Sequence, residues 1–225
     1  MNPASPIKVA LVDDHALFRE GVRLMLEDAA GLTFAFEAAN GREMMEFLEA
    51  GRLPEVILLD LEMPEMDGME SCELVKSKFP GIKILILTMH RDAQLIQHMM
   101  KMGANGYLLK SARWEEVERA IFQVQQKDFY FSDLVGLSMI QALQNPVETP
   151  PASPGPTIRI SRREQEVLEL IFAGNNTPEI AETLFISQRT VEGHRSNLLK
   201  RLEARNMADL IVKGLQHRLI SLPEL

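Results

Sequence analysis

Cysteine occurs once, as Cys72, tryptophan once and tyrosine twice among 225 residues. A single cysteine excludes an internal disulfide framework and suits a reducing compartment. Long apolar runs are missing as well. None approaches the ~18 to 20 residues that span a bilayer, and the longest, 56–59 and 82–87, have the length of buried strands. Residues 1–6 carry Pro3 and Pro6 but neither a basic region nor an apolar core, so a secretory signal is not expected. A cytoplasmic protein without a membrane partner is. Basic charge is also in deficit, with a formal net of −8, which argues against a nucleic-acid partner until the chain is divided. From residue 157 onward there are 10 basic against 9 acidic residues, leaving 14 against 23 before it. Within 187–205 five basic residues face two acidic ones. This asymmetry points to two domains with different partners.

Residues 145–156, NPVETPPASPGP, contain five prolines, which remove backbone donors and fix φ, so neither helix nor sheet continues through them. Before this segment two periodicities alternate. Short apolar stretches at 7–12, 32–36, 55–59, 82–87 and 107–109 read as strands, and amphipathic stretches at 16–27, 42–49, 69–78, 94–102 and 114–125 as helices. In the first helix, Leu17, Val22, Leu24, Met25 and Leu26 fall at helical spacing. Five βα units imply a parallel sheet with helices on both faces. Chemistry in such folds sits at the carboxyl ends of the strands, near the switch in strand order.

That edge collects polar groups scattered in sequence: Asp13 and Asp14 after the first strand, Asp60 after the third, Thr88 after the fourth and Lys110 after the fifth. Singly, each has a plain reading as a helix cap or a solvated side chain. Jointly they describe a site. Three carboxylates held close repel one another and call for a cation, and hard oxygen donors favour Mg2+. A phosphoryl donor could then place its phosphorus in line with an Asp60 oxygen.

Residues 7 to about 125 resemble the receiver domain of response regulators, through VDDH, LLDLEMPEMDGME, ILTMH and GANGYLLKS at the first, third, fourth and fifth strands. The resemblance implies a flavodoxin-like, doubly wound α/β fold with a five-stranded parallel sheet and Asp60 as phosphoacceptor. It implies Mg2+ bound directly by Asp14 and Asp60, by Asp13 largely through water, and by the backbone carbonyl of Glu62. Thr88 would hydrogen-bond the phosphoryl group and Lys110 would pair with it. Tyr107 would be the switch aromatic, against the plainer reading of a half-buried core tyrosine. Glu62 and His90 are open to two readings: they tune water access to the acyl phosphate, or they pair with each other or with solvent. Ser111 stands where many receivers have proline.

After the proline-rich stretch, Ser161 with Glu164 forms a capping box, and Val167, Leu168, Leu170 and Ile171 give an apolar face ended by Gly174. Thr177 reads as the cap of a second helix with Pro178 at its first position. Ile180, Ala181 and Leu184 would face inward. Ser187 opens a third helix with Val191, Leu198, Leu199 and Leu202 inward, and a fourth runs over 207–216. A brief turn before a basic helix is compatible with helix-turn-helix geometry. A basic helix alone is more often a solvated surface. The segment SRREQEVLELIFAGNNTPEIAETLFISQRTVEGHRSNLLKRLEAR resembles the LuxR-type helix-turn-helix without gaps. With the receiver, it identifies the chain as resembling the NarL/FixJ group of response regulators. The resemblance implies base-edge contacts from Glu192, Gly193 and Ser196 and phosphate contacts from Thr190, Arg195 and Arg201. Glu192 departs from a pattern in which lysine is common; a carboxylate there can accept a hydrogen bond from cytosine N4.

The expected organisation is a receiver over 1–127, a connecting helix and proline-rich linker over 128–157, and an all-α four-helix DNA-binding domain over 158–225. The expected function is transcription regulation rather than enzymology: phosphorylation of Asp60 by a sensor histidine kinase or a small phosphodonor drives homodimerisation and binding to double-stranded DNA, with RNA polymerase a further candidate partner. Rival readings are an aspartyl phosphatase, which typically carries D-x-D where this chain has Asp13-Asp14-His15, a pseudo-receiver, and a receiver with a protein-binding output.

Overall fold

The computed structural model describes residues 5–132, 160–217 and 219–220. Its first part alternates β1 (Ile7–Val12), α1 (Ala16–Asp28), β2 (Leu32–Ala38), α2 (Gly41–Glu49), β3 (Val56–Leu59), α3 (Gly68–Lys78), β4 (Lys83–Thr88), α4 (Ala93–Met102), β5 (Gly106–Leu109) and α5 (Trp114–Lys127). The strands form one parallel sheet in the order β2-β1-β3-β4-β5. The order reverses beside β1, so β1 and β3 flank the switch point where a crevice opens at their carboxyl ends.

Residue alternation sends side chains to both faces, and both are covered. On one face Val12, Ile57, Leu59, Ile84 and Ile86 pack with Met44 and Leu48 of α2, Cys72 and Val75 of α3, and Ile96 and Met99 of α4. On the other, Val9, Leu11, Leu58, Leu85 and Leu87 pack with Val22 and Leu26 of α1 and Ile121 and Val124 of α5. The first helix departs from its apolar pattern. Only Val22 and Leu26 are buried, whereas Leu17 is 84% exposed and Leu24 and Met25 also face solvent. Burial covers a single stripe of α1, narrower than its apolar content. The second strand runs two residues beyond its expected end, to Ala38, through a register shift at Val9/Ala10 of its partner.

The second part holds α6 (Arg162–Phe172), α7 (Thr177–Thr183), α8 (Gln188–Arg201) and α9 (Met207–Gln216). Ser161 and Glu164 form the expected capping box. In α7 the cap is Asn176, not Thr177: Asn176 Oδ1 accepts from Glu179 N and Glu179 returns the bond, which places Thr177 at the first helical position and Pro178 at the second. Asparagine is the better cap, and Glu179 stands three residues after it, where a capping box needs its carboxylate. Val167, Leu168, Ile171, Ile180, Val191, Leu198 and Leu202 are buried, as their spacing implies, while Leu170, Leu184 and Leu199 are half-buried.

From residue 133, the expected connecting helix and linker of 128–157 lie outside the described residues. After Asp128, residues 129–132 pass beside β5, with Tyr130 bridging Gly106 in parallel. The two parts touch at α4 and α9, where Asn206 Nδ2 donates to the carbonyls of Gly103 (2.6 Å) and Ala104 (2.8 Å).

Candidate carboxylate site and nucleic-acid interface

The sheet brings Asp13, Asp60, Thr88 and Lys110 to its carboxyl edge because each immediately follows or ends a strand in register with its neighbours. Asp13 and Asp60 are 1% and 3% exposed. Lys110 Nζ lies 2.7 Å from an oxygen of each and so sits between them. Asp60 Oδ1 also accepts from its neighbour's amide, Leu61 N, at 2.8 Å. Burial, reinforced by the Asp13 charge, pushes the Asp60 carboxyl above its ordinary range although Lys110 opposes this. Burial alone would lower Lys110, but its bonds to Asp13 and Asp60 outweigh it and hold the ammonium above its ordinary value.

Asp14 is exposed and bonds His15 Nδ1 at 2.7 Å. Ligand atoms of Asp13, Asp14, His15 and Asp60 all lie within 4.8 Å of one another. Three carboxylates with one lysine leave the cluster short of positive charge, and oxygen donors dominate it, so the donor set fits a hard divalent cation. His15 had no role in the sequence reading. Its proximity follows from the turn between β1 and α1, where its amide donates to Asp13 Oδ1 at 2.9 Å.

Glu62 stands apart from this trio. Its carboxylate is exposed and pairs with His90 Nε2 at 2.8 Å, which realises the mutual pairing of Glu62 and His90. Thr88 is buried, and its hydroxyl accepts from His90 N at 3.4 Å. Tyr107 is wholly buried, more so than a half-buried core tyrosine, and its hydroxyl donates to the His90 carbonyl at 3.1 Å. The 88–90 turn thereby joins Thr88, His90, Glu62 and Tyr107. Among the described residues no peptide is cis, and Lys110–Ser111 is accordingly trans.

Gly68 escaped the sequence reading. A Cβ there would lie 2.1 Å from the Asp60 carbonyl oxygen and 2.7 Å from Leu61 Cα. Only glycine lets the loop after β3 close against the strand end, with Gly68 N donating to Leu61 O at 3.0 Å. The pattern D-G at a helix start was visible, but the close approach was not.

On α8, Glu192, Gly193 and Ser196 are exposed together. Ser187 caps the helix by accepting from Thr190 N at 3.1 Å, and its hydroxyl meets that of Thr190 at 2.8 Å. Arg201 Nε lies 3.2 Å from the buried Glu164. Arg195 bonds Thr177 Oγ1 at 2.6 Å and pairs with Asp128, which also pairs with Lys83. Burial alone would raise Asp128, but Lys83 and Arg195 outweigh it and hold the carboxyl below its ordinary range. Asp128 adopts a left-handed φ of 69° and ends α5. A carboxylate of the first part thus occupies a guanidinium of the second.

Comparison with known proteins agrees with this architecture. Residues 9–122 match the response regulator receiver domain, and residues 159–213 match the bacterial regulatory proteins of the luxR family. The oxygen regulatory protein NreC of Staphylococcus epidermidis is 33% identical over 217 residues, covering 95% of this chain and 99% of that protein. The transcriptional regulatory protein MctR of Rhizobium johnstonii is 34% identical over 223 residues, covering 98% and 99%. The solved response regulator ChrA of a heme-sensing two-component system is 28% identical, with a TM-score of 0.50 over 96% of this chain and all of that one. RcsB of Salmonella typhimurium, at 23% identity, shares the fold with a TM-score of 0.57 over 92% of this chain and 97% of that one. Matched across both parts, this chain belongs to the NarL/FixJ family of two-component response regulators: transcription regulators, not enzymes in the usual sense, that join a receiver to a LuxR-type DNA-binding domain.

Proposed function

We propose that Asp60 is the phosphoacceptor and that its phosphorylation, by a sensor histidine kinase or a small phosphodonor, controls dimerisation and sequence-specific binding to double-stranded DNA. The observation that carries this is Lys110 seated between Asp13 and Asp60 at 2.7 Å from each, in a buried carboxylate edge. Asp14, Asp13 and Asp60 would hold Mg2+, with the Glu62 backbone carbonyl as a further ligand. Bound there, the ion supplies compensation for the negative charge of the phosphoryl group.

An Asp60 carboxylate oxygen attacks phosphorus in line as the bond to the donor's leaving group breaks, which gives an acyl phosphate. Lys110 moves from pairing with a carboxylate to pairing with the phosphoryl oxygens, and the Thr88 hydroxyl donates to another. When Thr88 is drawn toward the phosphoryl group, the 88–90 turn moves with it, and Tyr107, bonded to the His90 carbonyl, is the switch aromatic that registers the change. Dimerisation then presents two copies of α8 to two half-sites about one helical turn apart. The second contact becomes effectively intramolecular, which compensates for a nearly neutral DNA-binding domain. The domains are 1–127, the connection 128–157 and 158–225, in the cytoplasm, with RNA polymerase a candidate further partner.

With Mg2+ and a small phosphodonor, intact mass should rise by one phosphoryl group in the parent and not in Asp60→Asn. Equal labelling of both proteins would refute the assignment. Sedimentation should show a dimer in the phosphorylated parent; a monomer that nonetheless binds DNA more tightly would refute the dimer route.

A further inference from the structure

Phe185 lies in the turn between α7 and α8, two residues before the α8 cap, Ser187. It is 95% exposed. Its φ is 53°, in the left-handed region that bulky side chains rarely occupy. The turn itself demands this backbone. Phe185 N donates to Glu182 O at 3.2 Å and Ile186 N to Ala181 O at 3.0 Å, the paired bonds that close a helix through a left-handed residue. Arg163 clamps the same turn from α6 by donating to the Leu184 carbonyl at 2.5 Å. Glycine would satisfy all of these bonds without strain. Phenylalanine adds strain and leaves a whole ring in water, so folding gains nothing from it.

The ring has a place to act. Phe185 is continuous with the amino end of α8, the end of a recognition helix that meets base edges. Gln188, Arg189 and Thr190, which follow it, are all exposed, and Arg189 supplies a positive charge in the first turn of the same helix for the phosphate backbone. An apolar ring at the rim of a major-groove interface fits one base feature above others, the thymine methyl group.

We propose that Phe185 contacts DNA, its ring packing on a thymine methyl group at the edge of the half-site read by α8. This rests on the DNA-binding reading given above. It makes Phe185 a specificity-determining residue on the turn rather than on the helix.

Full-length parent, Phe185→Gly and Phe185→Leu, each treated with phosphodonor, are used to select duplexes from a randomised pool. Dissociation constants are then measured on the selected site and on a copy carrying deoxyuridine for thymidine at its outer positions. The parent should enrich thymine at one outer position per half-site. Deoxyuridine there should weaken the parent about fourfold, the worth of one buried methyl group. Phe185→Gly should lose that preference, bind about as the parent binds the deoxyuridine site, and be indifferent to deoxyuridine. Phe185→Leu should retain part of the preference. The thermal midpoint of Phe185→Gly should not fall, because glycine relieves the backbone.

Unchanged preference and affinity in Phe185→Gly would overturn the contact while leaving DNA binding intact. So would unchanged DNA binding with reduced transcription by added RNA polymerase, which would assign the ring to a protein partner. A parent that enriches no sequence would instead remove the DNA-binding reading itself.

Discussion

At the sheet edge, Asp13, Asp60 and Thr88 are at most 3% exposed and Lys110 is held by two carboxylates; on α8, Glu192, Gly193 and Ser196 stand in solvent. On the function proposed above, the difference follows from what each surface would have to do. Moving a phosphoryl group onto a carboxylate needs charges fixed in a low-dielectric site, where their interactions are strong and need no reorganisation. Reading a duplex needs side chains that can reach base edges, so burial would defeat it. The cationic residues of the second surface are nonetheless not idle. Arg195 and Arg201 are each engaged by a carboxylate, Asp128 and Glu164, where DNA would offer phosphates. In the first region one buried ammonium is shared by two carboxylates; in the second Arg195 and Arg201 each hold a carboxylate while Arg189 and Lys200 stand exposed.

Lys110→Ala tests the buried side of this contrast and should have the largest effect. It leaves Asp13 and Asp60 facing each other without the ammonium, and the rate of phosphorylation by a small phosphodonor should fall roughly a hundredfold. Stopped-flow fluorescence of Trp114, whose helix begins four residues after Lys110, can follow the reaction, with mass analysis as a check. A rate within twofold of the parent would show that the lysine only packs.

Glu192→Gln tests the exposed side. If Glu192 reads a base, the substitution should relax preference at one position per half-site, at a cost of roughly 1 to 3 kcal/mol for the favoured base. If it is merely a solvated acid near phosphates, every sequence should bind more tightly with preference unchanged. Arg201→Ala is the control: as a phosphate contact it should weaken all sites alike and lower the salt slope by roughly one unit per half-site.

Asp128→Asn sharpens the comparison at the point where the two regions meet. It removes the carboxylate shared by Lys83 and Arg195, a partly exposed network, and unphosphorylated protein should bind DNA about fivefold more tightly. Fluorescence anisotropy with a short duplex would measure it. Equal affinity would mean that Arg195 leaves Asp128 at no cost.

The smallest effect is on pH dependence. The Asp60 carboxyl is raised by burial, so the folded protein binds a proton there more readily than the unfolded chain does. The stability this contributes is present below the ordinary carboxylate range and lost as pH rises through the raised value. In chelator, the thermal midpoint of the parent should therefore decline over that interval relative to Asp60→Asn, and Mg2+ should flatten the difference. A difference curve independent of pH would contradict the raised carboxyl.

What the sequence determined by itself was local or periodic: the alternation of strands and helices, the proline-rich break, the capping box at Ser161, and the polar residues that end β4 or follow β1, β3 and β5. These were legible because strand ends in a parallel sheet must share an edge, and the family motifs fill that edge densely. The tertiary structure decided what depends on approach between distant segments. It narrowed the buried stripe of α1, shifted the α7 cap to Asn176, and brought the Asp60 carbonyl so near Gly68 that a side chain there has no room. It also set Asp128, 67 residues away in sequence, on Arg195. No periodicity encodes such contacts. They follow from the angles at which elements pack and from left-handed residues such as Asp128 and Phe185, whose backbone is imposed by the helix end they close.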